Sequence, residues 1–291
     1  MSSLKEIKNR IASVKSTQKI TAAMKMVASA KLRKAQGRIE NFLPYQNKLN
    51  EILQSFLSSL SEFESDLAEV REIRRVAIVV LSSNSSLCGA FNSNIIKLLK
   101  DRLAQYKHLA QENIEIYPIG KKVEDQVRKL ALSNPLKGGH TDLMDAPDFD
   151  GARQITDTLV SDFLHKKIDK VELLYNHFKS AGVQVPTTEQ YLPIQLHLQE
   201  ADEKRMTEYI VEPDMTSVLQ ALLPKTLRSK LFAVLLDSAA AEQAARVVAM
   251  QIATDNAGDL LDELTIQYNK QRQQAITSEL LDIIGGSEAL K

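Results

Sequence analysis

Two very long stretches at the ends of the chain carry almost no helix breaker. From Leu4 to Leu43 there is one glycine, Gly37, and no proline. From Lys225 to Ile284 there is again one glycine, Gly258, and no proline. Glycine and proline cost about 1 and about 3 kcal/mol in a helix interior, so their scarcity lets each stretch run on as helix. At 1.5 Å per residue these are rods of about 60 Å and about 90 Å. Ordinary globular helices run about 11–12 residues. Rods of this length cannot be stabilised inside one domain of normal diameter. They must pack on each other or on partner chains.

The first rod carries Leu4, Ile7, Ile11 and Val14 at spacings of three and four, a coiled-coil seam. The same register continues into Gln18, Thr21 and Lys25, while the apolar stripe moves to Ile20, Met24 and Val27. This drift implies a seam that winds around the helix, or a second partner that takes over. Pro44 is expected to interrupt or kink the rod. A further helical stretch from Gln46 to about Leu67 follows.

The last rod places Leu227, Leu231, Val234, Ser238, Ala241, Ala245, Val248 and Ile252 on one face. The small residues from Ser238 to Ala245 let another helix approach closely. After Asp255-Asn256 the stripe shifts to Ala257, Leu260, Leu261, Leu264 and Tyr268, then resumes with Ile276, Leu280 and Ile283. Gly285-Gly286 is expected to end the helix. Two end helices joined through a globular unit most simply pair antiparallel.

Between the rods, strand and helix signals alternate. Strands are expected at 75–82, 114–119, 171–178 and 184–194, the last on a sheet edge because Pro186 cannot donate to a ladder. Helices are expected at 91–107, 123–132 and 150–166. Residues 135–147 read as a loop with room for one strand, and 195–224 as a linker with a short strand, 208–211. This order implies a mainly parallel, doubly wound sheet. The expected organisation is 1–68 as an N-terminal shaft helix, 69–212 as a central α/β domain and 213–291 as a C-terminal shaft helix. The fold class is α/β with long helices: an antiparallel coiled coil of the terminal helices plus a central Rossmann-like domain.

Composition narrows the function. The net charge is zero, with 25% charged residues, no Trp and one cysteine, Cys88, so no internal disulfide can form. No apolar run reaches the roughly 20 residues that span a bilayer, and the N-terminus has no apolar signal core. Charge is lopsided: residues 1–40 hold ten lysines and arginines against Glu6 and Glu40, a local excess of eight. A basic helix of this kind faces an acidic partner or nucleic acid, unless it is simply solvated. A basic coiled coil that binds nucleic acid is therefore one reading. The lack of aromatic residues in 1–40 counts against it, because base stacking needs them.

Catalytic signals are weak. The loop Ser82–Ala90 follows the first strand, where doubly wound folds place ligands. It has neither a phosphate-loop glycine pattern nor a dinucleotide fingerprint. Cys88 could serve as a nucleophile, but the five histidines offer no patterned base, and a packed, structural cysteine is the simpler reading. Asp142, Asp145, Asp148 and Asp150 lack the closing Glu of a calcium loop and read as a solvated acidic loop. No catalytic residue, cofactor, metal or small-molecule substrate is expected.

Three long motifs carry more information. They are Ser16–Ala28 (STQKITAAMKMVA), Ala241–Met250 with Ala253–Ala257 (AEQAARVVAM, ATDNA), and Tyr268–Glu279 (YNKQRQQAITSE). These stretches, with the Leu87-Cys88-Gly89 turn and the closing Gly-Gly, resemble the gamma subunit, the central rotor shaft, of F-type rotary ATP synthases. The resemblance covers essentially the whole chain. Two departures stand out. The family's usual T-S-D-x-G is replaced by Ser82–Ser86, and Val247 stands where Met is common.

The resemblance implies a non-catalytic subunit whose terminal helices turn inside a ring of three alpha and three beta subunits. The α/β domain would sit at the foot with the epsilon subunit and the membrane c-ring. It implies a peripheral protein, here placed on the cytoplasmic face of a bacterial inner membrane because no transit segment precedes the helix. It also implies contact and coupling roles for Met24, Lys25, Arg33, Arg246, Arg272, Gln273 and Thr277. Lys25 and Arg33, with Lys31 and Lys34, would face acidic segments of the beta subunits, and Met24 would lie between the shaft helices.

Overall fold

A computed structural model of the chain describes residues 4–59, 65–129, 136–195 and 211–288. The elements in chain order are α1 (Leu4–Ser59), β1 (Val76–Leu81), α2 (Phe91–Gln105), β2 (Ile114–Ile119), α3 (Lys121–Lys129), α4 (Asp142–Asp145), α5 (Phe149–Leu164), β3 (Lys170–Ser180), β4 (Val183–Leu192) and α6 (Met215–Glu288). They form two compact units, Met1–Ala28 with Arg246–Lys291, and Ser29–Ala245. Helices α1 and α6 each contribute to both.

The larger unit is built on a four-stranded sheet of order β2-β1-β3-β4. Strand β1 runs parallel to β2 and to β3, and β4 returns antiparallel to β3. Every residue of β1 is buried. Its alternate side chains enter opposite cores, as period-two geometry requires. Ala77, Val79 and Leu81 join Leu159 and Phe163 of α5, Phe56 and Leu57 of α1, and Leu219 and Leu227 of α6. Val76, Ile78 and Val80 join Ile95 and Leu99 of α2 and Val123 and Val127 of α3. Helices therefore cover both faces, and the sheet is mixed, with its antiparallel strand at the edge. Pro186 lies in that edge strand, opposite Asn176.

Helix starts follow local chemistry. The Asp148 carboxylate accepts from Gly151 N at 3.1 Å and opens α5. Asp214 accepts from Ser217 N at 2.8 Å and from Ser217 Oγ at 2.6 Å and opens α6.

The structure corrects several expectations. Residues 215–224 are helix and not linker, and α6 runs through Pro224. Leu219, Leu223, Leu227 and Leu231 are buried at four-residue spacing, and burying each is worth about 1.5–3 kcal/mol. That gain outweighs the lost proline hydrogen bond. Likewise α1 runs through Pro44 without interruption. Phe42 stacks edge-on against Phe232 with ring centroids 4.9 Å apart, and Leu49, Leu53, Phe56 and Leu57 anchor the following turns. The described helix extends to Ser59, and Asp66–Ala68 is a single 3-10 turn. Gly285-Gly286 does not end α6, which continues to Glu288. Residues 136–147 hold one isolated bridge, Leu136 to Ile116, and the short α4. The expected strand 208–211 falls largely outside the described residues, and Val211 is not in a strand.

The smaller unit is an antiparallel helix pair. On α1 the buried and half-buried positions include 4, 7, 11, 14, 18, 21, 25 and 28, alternating by three and four, with 22 and 24 half-buried beside them. On α6 positions 250, 254, 257, 261, 264, 268, 271 and 275 follow the same spacing, with 251, 253, 258 and 260 half-buried beside them. This is heptad geometry on both partners. Thr21 meets Thr254, and Lys25 meets Gln251, so one number rises as the other falls.

Candidate partner-binding surface

The seam of the helix pair keeps its register where its apolarity fails. Gln18, Thr21 and Lys25 stay on the inner face, while Ile20 and Val27 point outward, each more than half exposed. The drifting stripe of the sequence is therefore an outer apolar surface beside an inner polar seam. Ile252 and Ile266 on α6 are also well exposed. Lys5, Lys8, Arg10, Lys15 and Lys19 add positive charge to the exposed side of α1.

The residues expected to make contacts are spread along this unit. Met24 is half-buried. The helix register places it level with residues 251–252, about one and a half turns from Arg246. Lys25 turns across the seam and donates from Nζ to Gln251 Oε1. Arg246 is buried. Arg272, Gln273 and Thr277 are exposed, and Thr277 Oγ1 donates to Gln273 O at 2.9 Å. Arg33 belongs to the larger unit and is exposed on α1. The structure thus joins Gln273 to Thr277, and joins Lys25 to a residue the sequence had not singled out, Gln251. The available signal for Gln251 was its place three residues, just under one helical turn, before Thr254.

The loop Ser82–Ala90 of the larger unit uses its own polar groups. Ser82 Oγ accepts from Val123 N at 3.0 Å, Ser83 O from Lys122 N at 3.1 Å and Asn84 Oδ1 from Lys121 N at 2.9 Å. The first amides of α3, which would otherwise hold an anion, are consumed. Asn84 Nδ2 donates to Thr141 O at 2.8 Å and to Asp145 Oδ2 at 2.7 Å, so one acid of the acidic loop braces this turn. Cys88 is buried, accepts from Asn92 Nδ2 at 3.1 Å and packs with Phe91, Ala241 and Ala245. No histidine is among these partners.

A cavity of about 740 Å³ in the larger unit lies among Phe42, Leu53, Tyr175, Tyr191, Leu227 and Val234. Polar groups on its wall satisfy one another: His177 Nδ1 with Asp237 Oδ2 at 2.7 Å, and Lys230 Nζ with Glu189 Oε1 at 2.8 Å. Burial pushes the Asp237 carboxyl up, against the lowering effect of His177 and the Phe178 amide. Among the described residues no three His, Cys, Asp or Glu side chains cluster as a metal would require. No described helix is long and apolar enough to cross a membrane.

The ATP synthase family model matches residues 3–290. The ATP synthase gamma chain of Phocaeicola vulgatus is 58% identical over 291 residues, covering 99% of this chain and 100% of that one. The gamma chain of Azobacteroides pseudotrichonymphae is 56% identical over 291 residues, with 100% of both chains covered. The chain belongs to the ATP synthase gamma-chain family. As a gamma chain it is a subunit of the non-catalytic central stalk of ATP synthase. Among solved structures, a chain of the Euglena gracilis mitochondrial ATP synthase in an OSCP/F1/c-ring assembly matches with TM-score 0.68 and 21% identity, over 99% of this chain and 94% of that one. A chain of the Tetrahymena thermophila mitochondrial ATP synthase central stalk and c-ring matches with TM-score 0.58 and 25% identity, over 80% and 99%. These likenesses extend to the gamma-chain fold, a helix pair with a small α/β sheet. Nothing in the comparisons supports a nucleic-acid-binding gamma chain.

Proposed function

We propose that this chain turns inside a ring of three alpha and three beta subunits and stands on the epsilon subunit and a membrane c-ring, at the cytoplasmic face of a bacterial cell membrane. In this reading 1–68 and 213–291 supply the shaft and 69–212 the α/β domain. Ion flow through the ring of c subunits would rotate the shaft, and each orientation would favour a different conformation at the three nucleotide sites. A rotor can bias those sites only through contacts that differ between their states.

One observation carries the proposal: the helix pair exposes Ile20, Val27, Ile252 and Ile266 while its own seam is partly polar. Apolar side chains gathered outside a completed pair suit a surface that a surrounding protein covers. The outward basic residues of α1, Arg33 among them, suit a sliding surface, because exposed ion pairs are worth only about 0–1 kcal/mol each. Met24, Lys25, Arg246, Arg272, Gln273 and Thr277 are the coupling residues of the helix pair in this reading. Lys25 and Arg246 act from within it, and Arg272, Gln273 and Thr277 from its surface.

The test is purification of the tagged full-length chain from its own cells. A large nucleotide-hydrolysing assembly should come with it, and the isolated chain should have no hydrolysis. Recovery of a monomer bearing its own activity overturns the reading.

A further inference from the structure

The polar contacts within the helix pair form a set that tolerates one register. Thr254 Oγ1 donates to Met250 O of its own helix at 2.7 Å. It lies 2.8 Å from Thr21 Oγ1, which is also 3.0 Å from Gln18 O. A hydroxyl has one proton. Each of the two hydroxyls reaches a carbonyl of its own helix as well as the other hydroxyl, so either can supply the proton that crosses the seam. One turn further along α1, Lys25 Nζ donates to Gln251 Oε1. The Gln251 amide nitrogen is held by both Asp255 oxygens, at 2.7 and 2.8 Å, which turns the amide oxygen toward Lys25. One turn the other way, a Cβ at Gly258 would stand 3.3 Å from Gln18 Nε2. Three successive turns are matched: 18 with 258, 21 with 254, 25 with 251.

An apolar heptad seam is degenerate, because sliding by seven residues restores apolar contacts. A slide of seven along α6 here would set Thr21 against Leu261 and Lys25 against Gly258. Both polar groups would lose their partners across a half-buried seam, an unfavourable outcome.

We propose that Thr21, Lys25, Gln251, Thr254 and Asp255 are positioning residues that lock the axial register of the two helices. The lock sets which outward residues of α1 stand level with which of α6. It stands on the geometry of the pair and does not depend on what surrounds the pair.

The experiment places spin labels at Ser13→Cys and Glu263→Cys, both exposed, in the full-length chain with Cys88→Ala. Pulsed electron–electron distances are then measured. The native seam should give one narrow distribution. Replacing the set by Thr21→Val, Thr254→Val and Lys25→Met should broaden it, or add a population displaced by up to about 10 Å, one heptad of rise. The melting temperature of the helices should hold or increase, since apolar seams pack well. Thr21→Ser with Thr254→Ser should restore the single distribution. Should the triple variant lose helix content, Thr21→Val with Thr254→Val is read the same way. A single unshifted distribution in the apolar seam overturns the lock. A merely structural role would lower the melting temperature without altering the register.

Discussion

The carbonyl of Ser82 lies against Gly120 so closely that a Cβ on Gly120 would stand 2.0 Å from Ser82 O. Gly120 has φ +107°, a conformation side chains rarely adopt. Through this approach the end of β2 hands the chain to α3, whose first amides Ser82, Ser83 and Asn84 receive. Gly120→Ala should therefore destabilise the larger unit by about 2–4 kcal/mol. A urea midpoint unchanged from the native chain would show that the backbone yields there at no cost.

Glu172 is buried on β3 with three partners: Tyr106 OH at 2.8 Å, Lys170 Nζ at 2.9 Å and Arg102 Nη2 at 3.3 Å. Removing one member of a buried charge set strands the rest. Glu172→Gln should cost about 3 kcal/mol or more, and adding Arg102→Met should recover part of it. Chemical denaturation of the two variants measures both effects. Equal stability of Glu172→Gln and the native chain rejects the cluster's role in anchoring α2 to the sheet.

Tyr191 ties three elements together. Its hydroxyl donates to Leu227 O at 2.9 Å and accepts from Thr156 Oγ1 at 2.9 Å. Tyr191→Phe should cost about 1–3 kcal/mol because the buried Thr156 hydroxyl loses this partner and the Leu227 carbonyl loses a bond beyond its helical one. Burial, first of all, raises the pKa of the Tyr106, Tyr117, Tyr175 and Tyr191 hydroxyls. Burial alone would lower Lys170, but Glu172 and Tyr106 outweigh it and raise it. Each group therefore holds its proton more tightly folded than unfolded. The stability they carry is intact below about pH 10 and is lost as pH rises through the folded values. Thermal melts from pH 8 to 12 should show a steep decline above about pH 10, shallower in Tyr191→Phe. A flat profile, or identical slopes, contradicts this account.

Met24→Lys would set a second cation on the helix pair one residue from Lys25. In the proposed assembly this should leave subunit composition largely intact and reduce the number of ions pumped per ATP hydrolysed. Measuring both rates in membrane vesicles decides it. An unchanged ratio removes Met24 from the coupling set.

Cys88 shares its contacts with Ala241 and Ala245. Ala241→Leu has no room to enter and should cost about 1–3 kcal/mol. Thiol reagents should label Cys88 slowly in the native chain and quickly in this variant. Fast labelling of the native protein would count against a packed cysteine.

Much of this protein was written in local patterns. The scarcity of glycine and proline foretold both long helices, and the apolar run Val76–Leu81 foretold a strand buried on both faces. Pro186 foretold an edge. These depend on backbone chemistry and period, which a linear sequence displays. The helix ends did not follow the same rule. Pro44, Pro224 and Gly285 look like stops in isolation, yet the first two lie beside leucines and phenylalanines that the folded core captures. A breaker costs a few kcal/mol, and burial several residues away can exceed it. The sequence likewise displayed Thr21, Lys25, Thr254 and Asp255 as polar residues within helices. Only the antiparallel pairing of segments more than two hundred residues apart made them partners and turned Ile20 and Val27 outward.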